Sequence, residues 1–199
     1  MKPLFPYFGG KRRAAPQVWQ ALGHVSRYVE PFFGSGAVLL ANPRPPMSEL
    51  INDRDHHVAN LWRALQADPD EVWRVASAPP SDVELRARHT WLESWEPPDF
   101  DDLQACDPFA AGVWLYRACA SIGHDAGLHR SDHGTGTMAP LFTRADFNVV
   151  AERVRRIQVM CGDWSRCVTP SCLRKPPAGP VGVFLDPPYG TGRDVAYDD

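Results

Sequence analysis

Ser26-Arg27-Tyr28-Val29-Glu30 runs into Pro31-Phe32-Phe33-Gly34-Ser35-Gly36, and Ala37-Val38-Leu39-Leu40 follows. The first five residues read as a short strand, the glycines as a turn, and the apolar run as the start of a helix. Strand, glycine turn and helix open a nucleotide-binding crossover in a parallel α/β sheet. The dinucleotide fingerprint wants a third small residue where Leu39 stands, so the turn fits NAD poorly. An acid at the strand end before Gly34-x-Gly36 suits a ligand with a charged amino group and no pyrophosphate. S-adenosylmethionine is such a ligand.

Three more strands end in the same way. Met47-Ser48-Glu49-Leu50-Ile51 leads to Asn52-Asp53, and Asp53 stands 19 residues beyond Gly34. That is close to the roughly 20-residue spacing at which an acid meets ribose hydroxyls in this architecture. Asp55 is the better placed residue to cap the helix that follows. Ile157-Gln158-Val159-Met160-Cys161 leads to Gly162-Asp163-Trp164. Val181-Gly182-Val183-Phe184-Leu185 leads to Asp186-Pro187-Pro188-Tyr189, where two prolines stiffen the turn and leave carbonyls without neighbouring donors. An acid, acceptor carbonyls and an aromatic face suit a planar base with an exocyclic amine. On those four residues alone, a plain proline turn is an equal reading. Glu30, Asp53, Asp163 and Asp186 together, each at a strand's carboxyl end, favour a ligand edge.

Helical spacing fills most of the remainder. Pro16 opens a short helix with Val18, Trp19 and Leu22 on one face. Val58, Leu61, Trp62 and Leu65 place a helix over 55–67. Asp68-Pro69 caps another, Ser81-Asp82-Val83-Glu84 reads as a capping box, and Asp107-Pro108 opens a strongly apolar helix. Thr143-x-x-Asp146 caps a helix bearing Phe147, Val150 and Val154. The expected organisation is an N-terminal half of the sheet domain at 1–57, a mostly helical insertion at 58–142, and the rest of the sheet domain at 143–199.

Composition is that of an ordinary globular protein, 44% hydrophobic and 23% charged over 199 residues. No apolar run has bilayer length, and the first residues lack a signal-peptide core, so a cytoplasmic location is expected. The five cysteines include no C-x-x-C pair, and reduced thiols are the expectation. Net charge is −3, but basic residues gather at Lys2, Lys11, Arg12, Arg13 and Arg27. A second group holds Arg144, Arg153, Arg155, Arg156, Arg166, Arg174 and Lys175. Either group can meet a phosphate backbone or face solvent. Residues 123–136 are rich in glycine and histidine, match no standard metal-ligand set, and read as a flexible surface loop from which Arg130 could reach DNA base edges.

Tyr7-Phe8-Gly9-Gly10-Lys11, Glu30-Pro31-Phe32-Phe33-Gly34-Ser35-Gly36, Asn52-Asp53 and Asp186-Pro187-Pro188-Tyr189 occur in that order. In this the chain resembles the Dam family of DNA adenine methyltransferases. The resemblance implies a Rossmann-like methyltransferase sheet with a helical target-recognition insertion. It implies S-adenosylmethionine held by Tyr7, Gly9, Gly10, Lys11, Glu30, Pro31, Phe32, Gly34, Gly36 and Asp53, with Asp163 and Trp164 flanking its adenine. Asp186 and the Pro187 carbonyl would hold the target amine, Pro188 would complete the turn, and Tyr189 would stack on a flipped base. Arg130 and Lys175 are the DNA-contact candidates. The partners implied are double-stranded DNA and, in restriction–modification systems, a restriction endonuclease.

The chain departs from the family in two places. Asp125-Ala126-Gly127-Leu128-His129-Arg130 replaces the usual asparagine-glycine-leucine-arginine-like segment, which leaves the recognised DNA sequence open. Only ten residues, 190–199, follow Tyr189. The expectation is therefore a sheet incomplete at its C-terminus, the chain being a fragment, a split gene product that a separately encoded half would complete, or a non-catalytic remnant. Adenine methylation is the leading reading. A binding remnant without turnover and a cytosine amino-methyltransferase are the alternatives, the last disfavoured by Asp rather than Ser before Pro-Pro-Tyr.

Overall fold

The computed structural model describes residues 1–7, 11–42, 44–79, 81–120, 142–173 and 179–187. Four strands, β1 (Arg27–Glu30), β2 (Ser48–Asp53), β3 (Gln158–Cys161) and β4 (Val181–Val183), form a parallel sheet in the order β3-β2-β1-β4. In register, Val29 faces Leu50 on one side and Val183 on the other, and Ile51 faces Val159. The chain steps outward from β1 to β2 to β3, then returns to the far side of β1. The order therefore reverses between β1 and β4, and ligands of open α/β sheets bind outside the carboxyl ends at such a point. The expected α/β Rossmann-like architecture is observed.

Alternation along the strands separates two apolar faces. Tyr28, Ile51 and Val159 join a large core with α3 (His56–Ala67), α4 (Pro69–Ala76), α6 (Pro108–Ala120) and α7 (Arg144–Val154). Val29 and Leu50 join a smaller one with Cys167, Met160, Val181 and Val183. The helices α1 (Ala15–Leu22) and α2 (Ala37–Leu40) pack on each other, and α5 (Asp82–Glu93) lies on α6. Asp55 caps α3 through the His57 and Val58 N–H groups. Thr143 and Asp146 form the expected reciprocal box on α7.

Long polar side chains lock helices to the sheet. Arg63, 4% exposed, donates to the carbonyls of Val159, Phe100, Asp102 and Ala105 and so fastens the 99–105 loop beside β3. Gln66 donates to Val154 and Ile157 at the end of α7. At the amino edge, Arg27 reaches Ser48 and Gln158 across two neighbouring strands.

Several expectations change. The Ala37–Leu40 helix is a single turn rather than the start of a longer one. Ser81 accepts from Glu84 N–H, but its own N–H donates to the Tyr116 hydroxyl, and Glu84 pairs with Arg88 instead. Much of the second basic group is turned to internal pairing: Arg144 with Asp70, Arg153 with Glu49, Arg155 with Glu152 and Arg166 with Asp101. No helix among the described residues is long and apolar enough to cross a membrane.

The Glu49–Arg153 pair is bidentate at 2.5 and 2.6 Å, and both side chains are under 10% exposed (7% and 8%). Removing one member of a buried pair strands the other charge. Glu49→Ala should cost about 3–5 kcal/mol in denaturant unfolding, and the double replacement Glu49→Leu with Arg153→Met should recover most of it. A loss below about 1 kcal/mol in the single variant would reduce the pair to a surface contact.

Candidate functional site

The parallel sheet carries Glu30, Asp53, Asp163 and Asp186 to one edge, at or just beyond the ends of β1, β2, β3 and β4. Glu30, 3% exposed, accepts from the Tyr28 hydroxyl at 2.9 Å. Burial pushes its carboxyl well above the usual carboxylate range. The Tyr28 hydrogen bond opposes that, and the charges of Asp186, Asp53 and Glu49 add to it. Tyr28 is raised in turn, first by burial and then by Glu30.

Asp53 ties two loops together. One oxygen accepts from Gly34 N–H at 2.7 Å, the other from Asp55 N–H at 3.0 Å. Its carboxyl is pushed up to about 7, mainly by burial and then by Asp55, against the backbone donors of Gly34, Asp55 and Arg54. The three backbone donors take at most three of the four lone pairs on its two oxygens, so a further donor can still be accepted. Gly34 has φ +49°, and a Cβ there would lie 2.5 Å from Tyr7 Cδ1. Only glycine lets the turn and the Tyr7 ring coexist. The Gly34 carbonyl accepts from Trp62 Nε1 at 3.0 Å. Gly36, also at positive φ, caps α2 over the Phe33 ring.

Lys11 pairs with Asp186 at 2.7 Å. Phe184 N–H still donates to Val29, so pairing with β1 persists to within two residues of Asp186. Pro187 is exposed beside it. Asp163 is exposed and caps the 3₁₀ turn Trp164–Cys167. Its carboxyl is held below the usual range by the Ser165 hydroxyl and N–H. Trp164 is 43% exposed, its ring 6.3 Å from Phe32 at 30°. Pro31 is buried behind Phe32. Gly9, Gly10, Pro188, Tyr189, Arg130 and Lys175 lie outside the described residues.

Sequence reading gave no role to Tyr28 and Trp62, and none to Asn52 although it stood in a matched pair; all three bond to the edge from inside the core. Tyr28 carried a signal: two residues before Glu30 in a strand, it shares that acid's face. Nothing local marked Trp62. A shallow apolar hollow of about 390 Å³ lined by Met1, Asn148, Val149, Glu152 and Arg153 lies beside α7, away from these residues.

The raised carboxyls of Glu30 and Asp53 hold protons longer in the folded chain than in the unfolded one. Folding is therefore progressively disfavoured as pH climbs from near the ordinary carboxylate value towards the folded one, about 7 for Asp53. Asp146, Asp163 and Glu71, shifted downward, act at lower pH. The melting temperature should fall between pH 5 and pH 8, and Glu30→Gln, which keeps an acceptor for Tyr28, should flatten the fall. An unchanged slope in thermal melts of Glu30→Gln would show that Glu30 is ionised throughout.

Comparison with known proteins bears on the family of the chain. The sequence profile of the D12 class N6 adenine-specific DNA methyltransferases matches residues 7–120, more than half of the chain. The chain is 24% identical over 192 residues to a DNA N-6-adenine-methyltransferase of Escherichia phage P1. That match covers 94% of this chain and 24% of the phage protein. It is 22% identical over 217 residues to the type II methyltransferase M.MjaIII of Methanocaldococcus jannaschii, covering 95% of this chain and 69% of that one. The chain thus spans about a quarter of the length of the phage relative. The chain belongs to the D12 class N6 adenine-specific DNA methyltransferase family.

Proposed function

We propose that the chain transfers a methyl group from S-adenosylmethionine to the exocyclic amine of adenine in DNA, after the base is flipped from the duplex. The observation that carries this reading is the row of acids on one edge at the β1/β4 reversal, with Lys11 against Asp186. Site and substrate are both part of the proposal, since the chain spans only a quarter of the phage relative.

The donor set fits such a cofactor. Tyr7, Gly9, Gly10, Lys11, Glu30, Pro31, Phe32, Gly34, Gly36 and Asp53 would surround it, with Asp163 and Trp164 at its adenine. Bound there, S-adenosylmethionine would supply a methyl group activated on a sulfonium. Glu30 and Asp53 offer negative charge to its cationic amine and acceptors to its hydroxyls. Asp186 and the Pro187 carbonyl would each accept an N–H from the target amine, which turns the amine's lone pair outward along a fixed line. Pro187 and Pro188 hold those acceptors on a stiff backbone, and Tyr189 would stack on the base. Catalysis is then largely orientation. Residues 58–142 would read the DNA, with Arg130 and Lys175 as contacts.

The test is incubation with labelled cofactor and duplex DNA, followed by nucleoside analysis. Methylated adenine is expected, and methylated cytosine alone would overturn the base assignment. Asp186→Asn should slow transfer by about 10²–10⁴-fold, the scale of a positioned acid–base group, with cofactor affinity little changed. Asp53→Asn should weaken cofactor binding by about 1.5–3 kcal/mol in calorimetry, and equal affinity would remove Asp53 from the ribose role.

A further inference from the structure

Asn52 has a place in the site that its strand position alone does not explain. It is 1% exposed and lies in β2, one residue before Asp53. Its Nδ2 donates to Pro31 O at 3.0 Å and to Gly162 O at 2.9 Å. Its own carbonyl accepts from Phe33 N–H at 3.0 Å. Pro31 is the first residue beyond β1 and Gly162 the first beyond β3. One side-chain amide therefore continues the sheet's bonding sideways across three strands, just where the backbone ladders stop.

The chemistry of the position is selective. Both N–H groups of the amide are used, while Oδ1 is buried with no partner among the described residues. A buried orphan acceptor is a cost that calls for a reason. Reversing the amide would set Oδ1 against two carbonyls, and an aspartate would do the same with a charge. A leucine fills similar space with no donor at all. Two donors on a short flat group are what the site uses.

The two carbonyls belong to the loops that carry Phe32 and Trp164. Gly162 has φ +124°, a conformation side chains rarely adopt, and its N–H is held by Asp53 O at 3.1 Å while its carbonyl is held by Asn52. That peptide launches Asp163-Trp164. Pro31 launches Phe32. The two rings stand 6.3 Å apart. A flat ring between them needs about 3.5 Å on each face, roughly 7 Å in all. The 6.3 Å centroid separation is close to that spacing.

We infer that Asn52 is a positioning residue for the adenosyl end of the cofactor, its amide setting the spacing and tilt of Phe32 and Trp164 through Pro31 and Gly162. This rests on the reading of the edge as an S-adenosylmethionine site. The probes are S-adenosylhomocysteine and 5′-methylthioadenosine, titrated calorimetrically into the parent, Asn52→Leu, Trp164→Ala and the double variant, with a thermal melt of each. Asn52→Leu should weaken both ligands alike, by about tenfold, a loss on the scale of one stacked base. The double variant should bind little worse than Trp164→Ala, because the amide acts through that ring. Asn52→Ser, which keeps one donor, should fall between parent and Asn52→Leu, and it carries the test if Asn52→Leu does not fold.

A merely structural role predicts a lower melting temperature with additive losses in the double variant, and that result overturns the inference. So does parent-like affinity in a folded Asn52→Leu. A parent that binds neither probe would bring down the cofactor reading itself, whereas a binding parent with an indifferent Asn52 would bring down only the positioning role.

Discussion

The Gly34 peptide is the point on which the carboxyl edge depends. Its N–H donates to Asp53 at the end of β2, and its carbonyl accepts from Trp62 in the middle of α3. Its missing side chain leaves the space taken by Tyr7. One residue at φ +49° thus binds the first turn to the neighbouring strand, the covering helix and the N-terminal segment. A parallel sheet leaves the turns after its strands without ladder partners, so side chains must satisfy them. Asp53 does so for Gly34 and Asp55, and Asp55 for the first N–H groups of α3. The same carboxylates then face the site with backbone donors already fixing their orientation.

Much of this was legible. The four strands, their order of acids and the α3 cap follow from alternation, spacing and cap chemistry, which are local. The partners of long side chains were not. Glu49 looked like a strand residue and Arg153 like part of a basic face, yet they form a buried pair 104 residues apart. Arg63 gave no local hint of gathering carbonyls from β3 and the 99–105 loop. Charge counting along the chain cannot tell an arginine aimed at solvent from one already bonded, which is why the second basic group promised more than its described members provide. Glycines spaced as in a ligand turn also serve packing: Gly34 and Gly36 are needed against Tyr7 and Phe33 before any ligand arrives. The capping motifs divided on the same principle. Thr143 and Asp146 bond each other reciprocally, whereas Ser81 lies near Tyr116 from another helix, and the tertiary contact takes the bond.

Charge on the edge limits what it can hold. The charges of Asp186 and Asp53 raise the proton affinity of Glu30, and that of Asp55 raises the proton affinity of Asp53. Lys11 answers Asp186, but Glu30 is answered only by a neutral phenol and Asp53 only by backbone N–H groups among the described contacts. Burying further negative charge here would drive these carboxyls to stay protonated. A phosphate-bearing nucleotide is therefore a poor occupant, which agrees with the missing third glycine of a dinucleotide turn. A ligand with fixed positive charge reverses the balance: it favours the ionised acids, and the acids favour it. Uncompensated Glu30 thus disfavours a pyrophosphate there, and the Gly34-x-Gly36 turn departs from the dinucleotide pattern at Leu39 in the same sense.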